Sequence, residues 1–372
     1  MEQTEQVMQP TQKPSSSKFV YIVSVVLAFL FIFFLGAWWF LGRTSQLQEQ
    51  PQPFRVVLPM WDSPPGRPLT EGFVKKMEEL GYKEGIDIVY KRHGFLAPGP
   101  ETLGVVRSIY ESDLAEGIDL IFTAEWSDTK AAQEATQALG KPVPIVFGDV
   151  TNPIEFGFAE TWASPGANLT GVSERRNDVV ERALELFTAT VPGIKKIGVG
   201  AQGFMLPDEP SVSYYKALLE QAEKMGIEIV EYTTDVPPGP SHKEEVIRVF
   251  DSIEEGEVDA WLHIPGHFFT NQQALEHQLA LRLKIPFMLP AVEHNDETGE
   301  LVGLFVYGAD FVEKGEQAAV FADKILRGGT LASDIPLELP DRYIIVINLK
   351  TAEAIGVTIP PEILELADRI IE

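Results

Sequence analysis

Ile118-Asp-Leu-Ile-Phe-Thr123, Ala124-Glu-Trp-Ser-Asp128, Thr129-Lys-Ala-Ala-Gln-Glu-Ala-Thr-Gln-Ala-Leu139, Gly140 and Val143-Pro-Ile-Val-Phe147 form one continuous statement about the fold. The first and last pieces are short, continuous apolar runs of the kind that are buried on both faces of a sheet. The middle piece carries small and apolar residues at helical spacing and ends on a glycine, which permits the left-handed stop of a helix. Strand, helix and strand in this order require a parallel crossover.

The same rhythm extends in both directions. Toward the N-terminus the pattern predicts a strand at 54–59, a helix over 69–80 stopped by Gly81, a strand at 86–90 and a helix over 101–114. Toward the C-terminus it restarts with helix 179–190, strand 196–199, helix 212–225, strand 227–232, helix 243–254, strand 260–264, helix 272–283 and strand 286–289. Segment 301–306 reads as a strand, 310–326 as a helix, 343–348 as a strand, and 351–355 and 361–371 as short helices. The expected class is α/β, with two Rossmann-like lobes of parallel sheet. A chain of 372 residues suits two such cores better than one.

Residues 19–41 contain no charge and are mostly apolar, with Trp38, Trp39 and Phe40 crowded at the far end. At about 1.5 Å per residue a helix of this length crosses a hydrocarbon core of about 30 Å, and aromatic rings favour its boundary. Lys13 and Lys18 before it set a short cytoplasmic N-terminus over 1–18, a transmembrane anchor over 19–41 and a polar stalk over 42–53. The bulk of the chain then lies on the extracellular or periplasmic side of the cell membrane. A cleaved signal peptide is the alternative, although its apolar region is usually shorter. There are no cysteines, which excludes a lipidated N-terminal Cys, disulfides and thiolate metal sites. The net charge of −25 opposes nucleic acid and anionic headgroups as partners.

Gly198-Val-Gly-Ala-Gln-Gly203 matches a dinucleotide-binding spacing, but Pro207 and Pro210 stand where the pyrophosphate-binding helix should begin. His263, His267, Glu293 and His294 have metal-ligand chemistry, yet Pro265-Gly266 breaks the helical face that a His-x3-His pair needs. No serine-hydrolase elbow, zinc-protease motif or phosphate loop occurs. The chain is therefore read as a non-enzyme with no cofactor and no metal. The informative positions are the loops that follow strands, where helix N-termini and strand ends meet solute. Trp61, Trp126 and Phe204 are expected as apolar walls there. Asp62, Ser63, Glu125, Ser127, Asp149, Gln202, His267 and Glu293 are the expected polar groups, with Tyr307 added from a later strand. Their acidic bias favours a neutral or cationic ligand with an aromatic or apolar part.

Pro144-Ile-Val-Phe-Gly-Asp149, Pro165-Gly-Ala-Asn-Leu-Thr-Gly-Val-Ser173, Tyr307-Gly-Ala-Asp310, Ala322-Asp-Lys-Ile-Leu-Arg-Gly-Gly329 and Ile335-Pro-Leu-Glu-Leu-Pro340 carry a resemblance. The tail Val346-Ile-Asn-Leu-Lys-Thr-Ala-Glu-Ala-Ile-Gly356 with Thr358-Ile-Pro-Pro361 is its most specific part. These stretches resemble ABC-transporter substrate-binding proteins of the type I periplasmic-binding fold, in the branch that includes aromatic amino acid binders. The resemblance covers about Phe54 onward. It implies a small solute gripped between hinged lobes and passed to an ABC permease driven by a cytoplasmic ATPase. It also implies crossovers near 171–173, 298–301 and 331–339, with lobe 1 made of 54–172 plus 300–330 and lobe 2 of 173–299 plus 331–372. Relatives usually have a Thr-Pro-Ala-like turn where this chain has Glu125-Trp126-Ser127, and Tyr-Asn-Pro where it has Gly200-Ala201-Gln202, so the ligand need not be theirs. Two other readings are a receptor ectodomain that signals through a partner, and an extracellular α/β hydrolase or isomerase using Glu293 and His294.

Overall fold

The computed structural model describes residues 16–44, 52–60, 66–94, 100–174, 176–202, 210–234, 242–264, 272–292 and 302–372. The chain divides into two units, Met1–Gln52 and Pro53–Glu372. In the first, helix α1 (Ser16–Thr44) is built of residues whose described apolar side chains, such as Phe29, Phe31 and Phe33, are exposed. Among the described residues no helix is long and apolar enough to cross a membrane; several side chains of the expected span 19–41 lie outside the description.

The second unit holds both lobes. Lobe 1 is built from β1 (Phe54–Val57), α2 (Gly66–Glu79), β2 (Ile88–Lys91), α3 (Pro100–Glu116), β3 (Leu120–Thr123), α4 (Trp126–Ala138), β4 (Ile145–Phe147) and β5 (Leu169–Gly171). Lobe 2 begins with α5 (Arg176–Thr190), β6 (Lys196–Gln202), α6 (Pro210–Met225), β7 (Glu228–Thr234), α7 (His242–Asp251), β8 (Ala260–Leu262), α8 (Gln273–Leu283), β9 (Phe287–Leu289) and β10 (Phe305–Ala309). Then come α9 (Phe311–Leu326), a single 3-10 turn at Ala332–Asp334, β11 (Tyr343–Asn348), α10 (Leu349–Ile355), α11 (Pro361–Leu364) and β12 (Arg369–Ile371).

The first sheet runs β2-β1-β3-β4-β5, and the second runs β7-β6-β8-β9-β10 followed by β11 and β12. Both lobes therefore share one strand order, with the reversal between β1 and β3 and between β6 and β8. Pairing is parallel throughout except between β10 and β11, where Tyr307 lies opposite Ile345 in an antiparallel ladder. The inner strands bury alternate residues on opposite sides. In β3, Leu120 and Phe122 face the core under α2 and α9, while Ile121 faces the core under α3 and α4. In lobe 2, Ala260 and Leu262 face the α5 and α6 side, and Trp261 faces α7 and α8. Phe73 of α2 stacks on Phe122 at a centroid distance of 4.0 Å.

The chain crosses between the lobes at three places, and one is not where the resemblance implied. β10 pairs with β9, so the second passage falls at Asp310, not near 298–301. Residues 302–309 therefore belong to lobe 2. The physical cause is that Leu304 and Phe305 complete the lobe 2 core, whereas the apolar stripe of α9, including Ala318, Phe321 and Ile325, completes that of lobe 1. Asp310 caps α9 at the point of crossing by accepting from Val312 N–H at 2.8 Å. The third passage lies along lobe 1 before it returns. Glu338 bridges Val172, Ser173 N–H donates to Glu338 O at 2.8 Å, and Gln317 Nε2 donates to Glu338 Oε2 at 3.0 Å. The return therefore falls after Glu338, near Arg342, whose guanidinium joins Glu313 of α9 to Asp368 of lobe 2.

Three further expectations are corrected. The sequence pattern placed no strand at Leu169–Gly171, yet β5 pairs parallel to β4; three residues are too few to show a period. The helix expected over 361–371 stops at Leu364, and β-branched Ile370 and Ile371 instead extend the edge of β11. Asp368 fixes that register by accepting Ile345 N–H at 2.8 Å. Helix α4 begins at Trp126, three residues before the expected start, because Glu125 caps it.

Candidate functional site

The site expected from the topology is the rim formed by the C-terminal ends of the strands in each lobe, centred on the two reversals of strand order. Trp61, Asp62, Ser63, Phe204, His267 and Glu293, with His294, lie outside the described residues. Gln202 ends β6 opposite Thr234 of β7. The remaining expected residues are placed as follows.

Glu125, Trp126 and Ser127 are the first residues of the α4 entrance. The Glu125 carboxylate accepts from Ser127 N–H at 2.8 Å and Asp128 N–H at 2.9 Å, and Ser127 Oγ donates to it as well. A negative side chain thus occupies the positive end of the helix, where backbone donors would otherwise be unsatisfied. Trp126 is half-buried against the α3 and α4 core, with Lys130 Nζ 5.1 Å from its ring centre.

Asp128 was not singled out in the sequence. Its carboxylate is buried, accepting from Tyr110 Oη at 2.6 Å and from Ala124 N–H at 3.0 Å. Burial pushes its carboxyl up to about 7, the Tyr110 hydrogen bond pulls it down, the neighbouring Glu125 pushes it up and the Ala124 amide pulls it down. The ordinary value is about 3.9. A carboxyl raised in the folded state contributes stability that is complete below the unfolded value and is lost as pH rises through the folded one. Asp128→Asn should therefore change its stability relative to wild type by roughly 2 kcal/mol in the variant's favour between about pH 5 and pH 7.5. Urea titrations at the two pH values measure this; a difference that does not move with pH refutes it.

Asp149, one of the expected polar groups of the rim, is paired within the lobe. It follows β4 and receives a hydrogen bond from Lys314 Nζ at 2.8 Å; the same ammonium reaches Glu174 at 2.9 Å. Lys314 is 1 % exposed and also lies 3.9 Å from the centre of the Phe311 ring. Burial pulls its ammonium down, but the two carboxylates outweigh it and the net direction is upward. The group ties β4, the first crossover and α9 together. Neither Lys314 nor Glu174 was predicted. The signal existed, because Lys314 interrupts the apolar stripe Phe311, Gly315, Ala318 and Ala322 of α9, and a charge in such a stripe must find a buried partner.

Tyr307 sits in the middle of β10, away from the strand ends, packed toward the α5 side and stacked on Tyr343 at 5.8 Å. Burial raises its phenol pKa and Arg182 pulls it down. In lobe 2 the strand end of β8 carries another buried group. His263 Nδ1 lies 2.6 Å from Glu276 Oε2, and Trp261 Nε1 donates to Glu276 Oε1 at 3.0 Å. Among the described residues no cluster of His, Cys, Asp or Glu is arranged to hold a metal ion.

The geometry of a twofold α/β unit with three crossings has counterparts. Residues 63–371 match the family described as ABC transporter substrate binding protein. A tyrosine-binding protein of Clostridioides difficile is 28% identical over 286 residues, which cover 77% of this chain and 75% of that protein. Among solved structures, an ABC domain from Streptococcus pneumonia in complex with L-Trp aligns with a TM-score of 0.69 at 22% identity, over 86% of this chain and 100% of that one. A ligand-free, open substrate-binding protein with adhesive properties from Clostridium difficile aligns with a TM-score of 0.63 at 25% identity, over 86% and 99% of the two chains.

Proposed function

The chain belongs to the ABC transporter substrate binding protein family, and from that premise we propose that it captures a small solute with an aromatic or apolar part between its lobes and delivers it to an ABC importer. Its partners in this reading are the permease and the cytoplasmic ATPase. The observation that carries the reading is the pair of lobes with one strand order, joined by three passages of chain. That construction leaves two rims of strand ends facing a shared hinge, and closure around a ligand is the motion such a hinge supports. The tyrosine and L-Trp named for the two relatives favour an aromatic solute. Family membership also favours binding over the hydrolase reading.

We further propose that residues 19–41 anchor the protein in the cell membrane, with the lobes on the extracellular or periplasmic side. The uncharged run over 19–41 supports it. Resistance of the membrane-bound protein to carbonate extraction, together with protease access from outside the cell, is the expected result; release of the protein by carbonate would reject the anchor.

Solute capture is tested by scattering and thermal melting of the protein against a panel of amino acids, amines, nucleosides and sugars. A ligand at about 100 times its Kd should add about 2.7 kcal/mol of stability and reduce the radius of gyration. A shape that no compound contracts, with turnover of one of them, would reject the reading.

A further inference from the structure

The third passage between the lobes has little slack. Glu338 is bridged to Val172, and Gln317 Nε2 of α9 donates to Glu338 Oε2 and to Leu339 O, both at 3.0 Å. The chain is therefore held to lobe 1 as far as Leu339. From Tyr343 it is held to lobe 2, because Tyr343 lies opposite Ala309 in the β10–β11 ladder. Pro340, Asp341 and Arg342 lie between the two anchorages, and the proline ring fixes one torsion of the first. The second passage leaves lobe 2 beside the third on that ladder and turns at once into α9. A rotation of one lobe against the other has to be taken up at these short connections.

The first turn of α9 grips both other passages. Lys314 Nζ reaches Glu174, in the first passage, at 2.9 Å. Its neighbour Glu313 holds the third: Arg342 Nε donates to Glu313 Oε2 at 2.9 Å, and Arg342 Nη2 donates to Glu313 Oε1. The remaining nitrogen of the guanidinium, Nη1, lies 3.6 Å from Asp368 Oδ1 of lobe 2. Asp368 is itself fastened to β11 by Ile345 N–H at 2.8 Å. The two grips differ in exposure. Lys314 is buried, whereas the Arg342 side chain is 56 % exposed. A forked guanidinium between two carboxylates is a directional tie. An exposed tie is weakened by salt and opens without leaving an unpaired charge buried.

We propose that Arg342 is a salt-sensitive strap across the hinge: it ties Glu313 of lobe 1 to Asp368 of lobe 2 at the untethered part of the third passage, and so limits how far the lobes move when no solute is bound. The buried Lys314 contact is the pivot, and the exposed Arg342 contact is the part that opens. Ionic strength then acts on the lobe equilibrium directly, through contacts that one arrangement makes and another lacks. This inference rests on the solute-capture reading for the motion that is restrained, and it adds what restrains it.

The chain has no cysteine, so Val105→Cys in α3 and Leu219→Cys in α6, both at exposed positions, give the full-length protein one spin label in each lobe. Double electron–electron resonance without ligand then reads the distances between the lobes. In about 50 mM NaCl, Arg342→Gln should raise the fraction of molecules outside the main distance peak about threefold or more over the labelled parent, and Glu313→Gln should do the same. About 1 M NaCl should broaden the parent likewise and leave Arg342→Gln nearly unchanged. Arg248→Gln opens an exposed ion pair within α7 and should leave the distances as they are. Distances that neither variant nor salt alters overturn the strap, and so does Arg248→Gln broadening them as much as Arg342→Gln. No ligand enters these measurements, so the two readings fail separately. Unchanged distances in a protein that a solute contracts reject the strap and keep capture; the expected broadening in a protein that no compound contracts keeps the strap and rejects capture.

Discussion

Lys314→Ala is expected to lower folding stability by about 3–5 kcal/mol, a large effect for a single side chain in this protein. The substitution leaves Asp149 and Glu174 facing each other across the space that the ammonium filled at 2.8 and 2.9 Å. Two carboxylates that share a buried site cannot both stay ionised cheaply. The penalty is largest where both are ionised and shrinks in acid, where the repulsion between them is neutralised. In the wild type, Lys314 is itself raised, so its contribution is complete through neutral pH and is lost only as pH climbs through the raised value. Adding Asp149→Leu and Glu174→Met to Lys314→Met should recover most of the loss, since a neutral, apolar replacement of an entire buried group is often tolerated. Chemical denaturation of the single and triple variants measures this. A single variant within about 1 kcal/mol of wild type would show that the buried group is not a structural tie.

Gly315→Ala is expected to cost about 3 kcal/mol by a different route. A Cβ at Gly315 would stand 2.0 Å from Leu69 O and 2.8 Å from Phe73 N, and one at Gly72 would stand 2.1 Å from Val312 O. The neighbours are main-chain atoms of the facing helix, so no side chain can swing away. Helices α2 and α9 must separate, and the contacts of Phe73, Phe321 and Ala318 in the lobe 1 core loosen with them. Lys314 is the adjacent residue on α9, so its grip on Asp149 should weaken too. Gly72→Ala acts on the same contact, and the double variant should cost less than the sum of the singles. An unchanged urea midpoint for Gly315→Ala would mean the helices can part without loss.

Much of the alternation of strand and helix was legible because the inner strands, such as β3, β4, β8 and β9, are short apolar runs buried on both faces and most helices end near a glycine. Gly81, Gly140 and Gly226 follow helical segments and have positive φ, which is a local property that sequence can carry. Sheet membership was not local. Nothing in 302–309 says that it completes the second core, and that fact moves the middle crossover to Asp310. The site was legible only as a set of positions. Glu125 and Ser127 were recognised as rim residues, but a glutamate that turns back to cap its own helix looks in sequence like one that faces a ligand. Asp149 was chosen for its place after β4, and its partner Lys314 lies far along the chain, with only its place in an apolar stripe to announce it.

The three passages of chain described for the hinge bear on how such a protein can diversify. Neither half is a contiguous stretch: the first recruits α9 from the middle of the polypeptide, and the second takes back everything from β11 onward. One recombination joint anywhere between β1 and β11 would graft an incomplete half onto a mismatched partner, leaving β4 and β5 without the helix that covers them. Exchange of whole halves between paralogues requires several joints at once. New specificities in this architecture are accordingly accessible by point changes on the rims more readily than by shuffling.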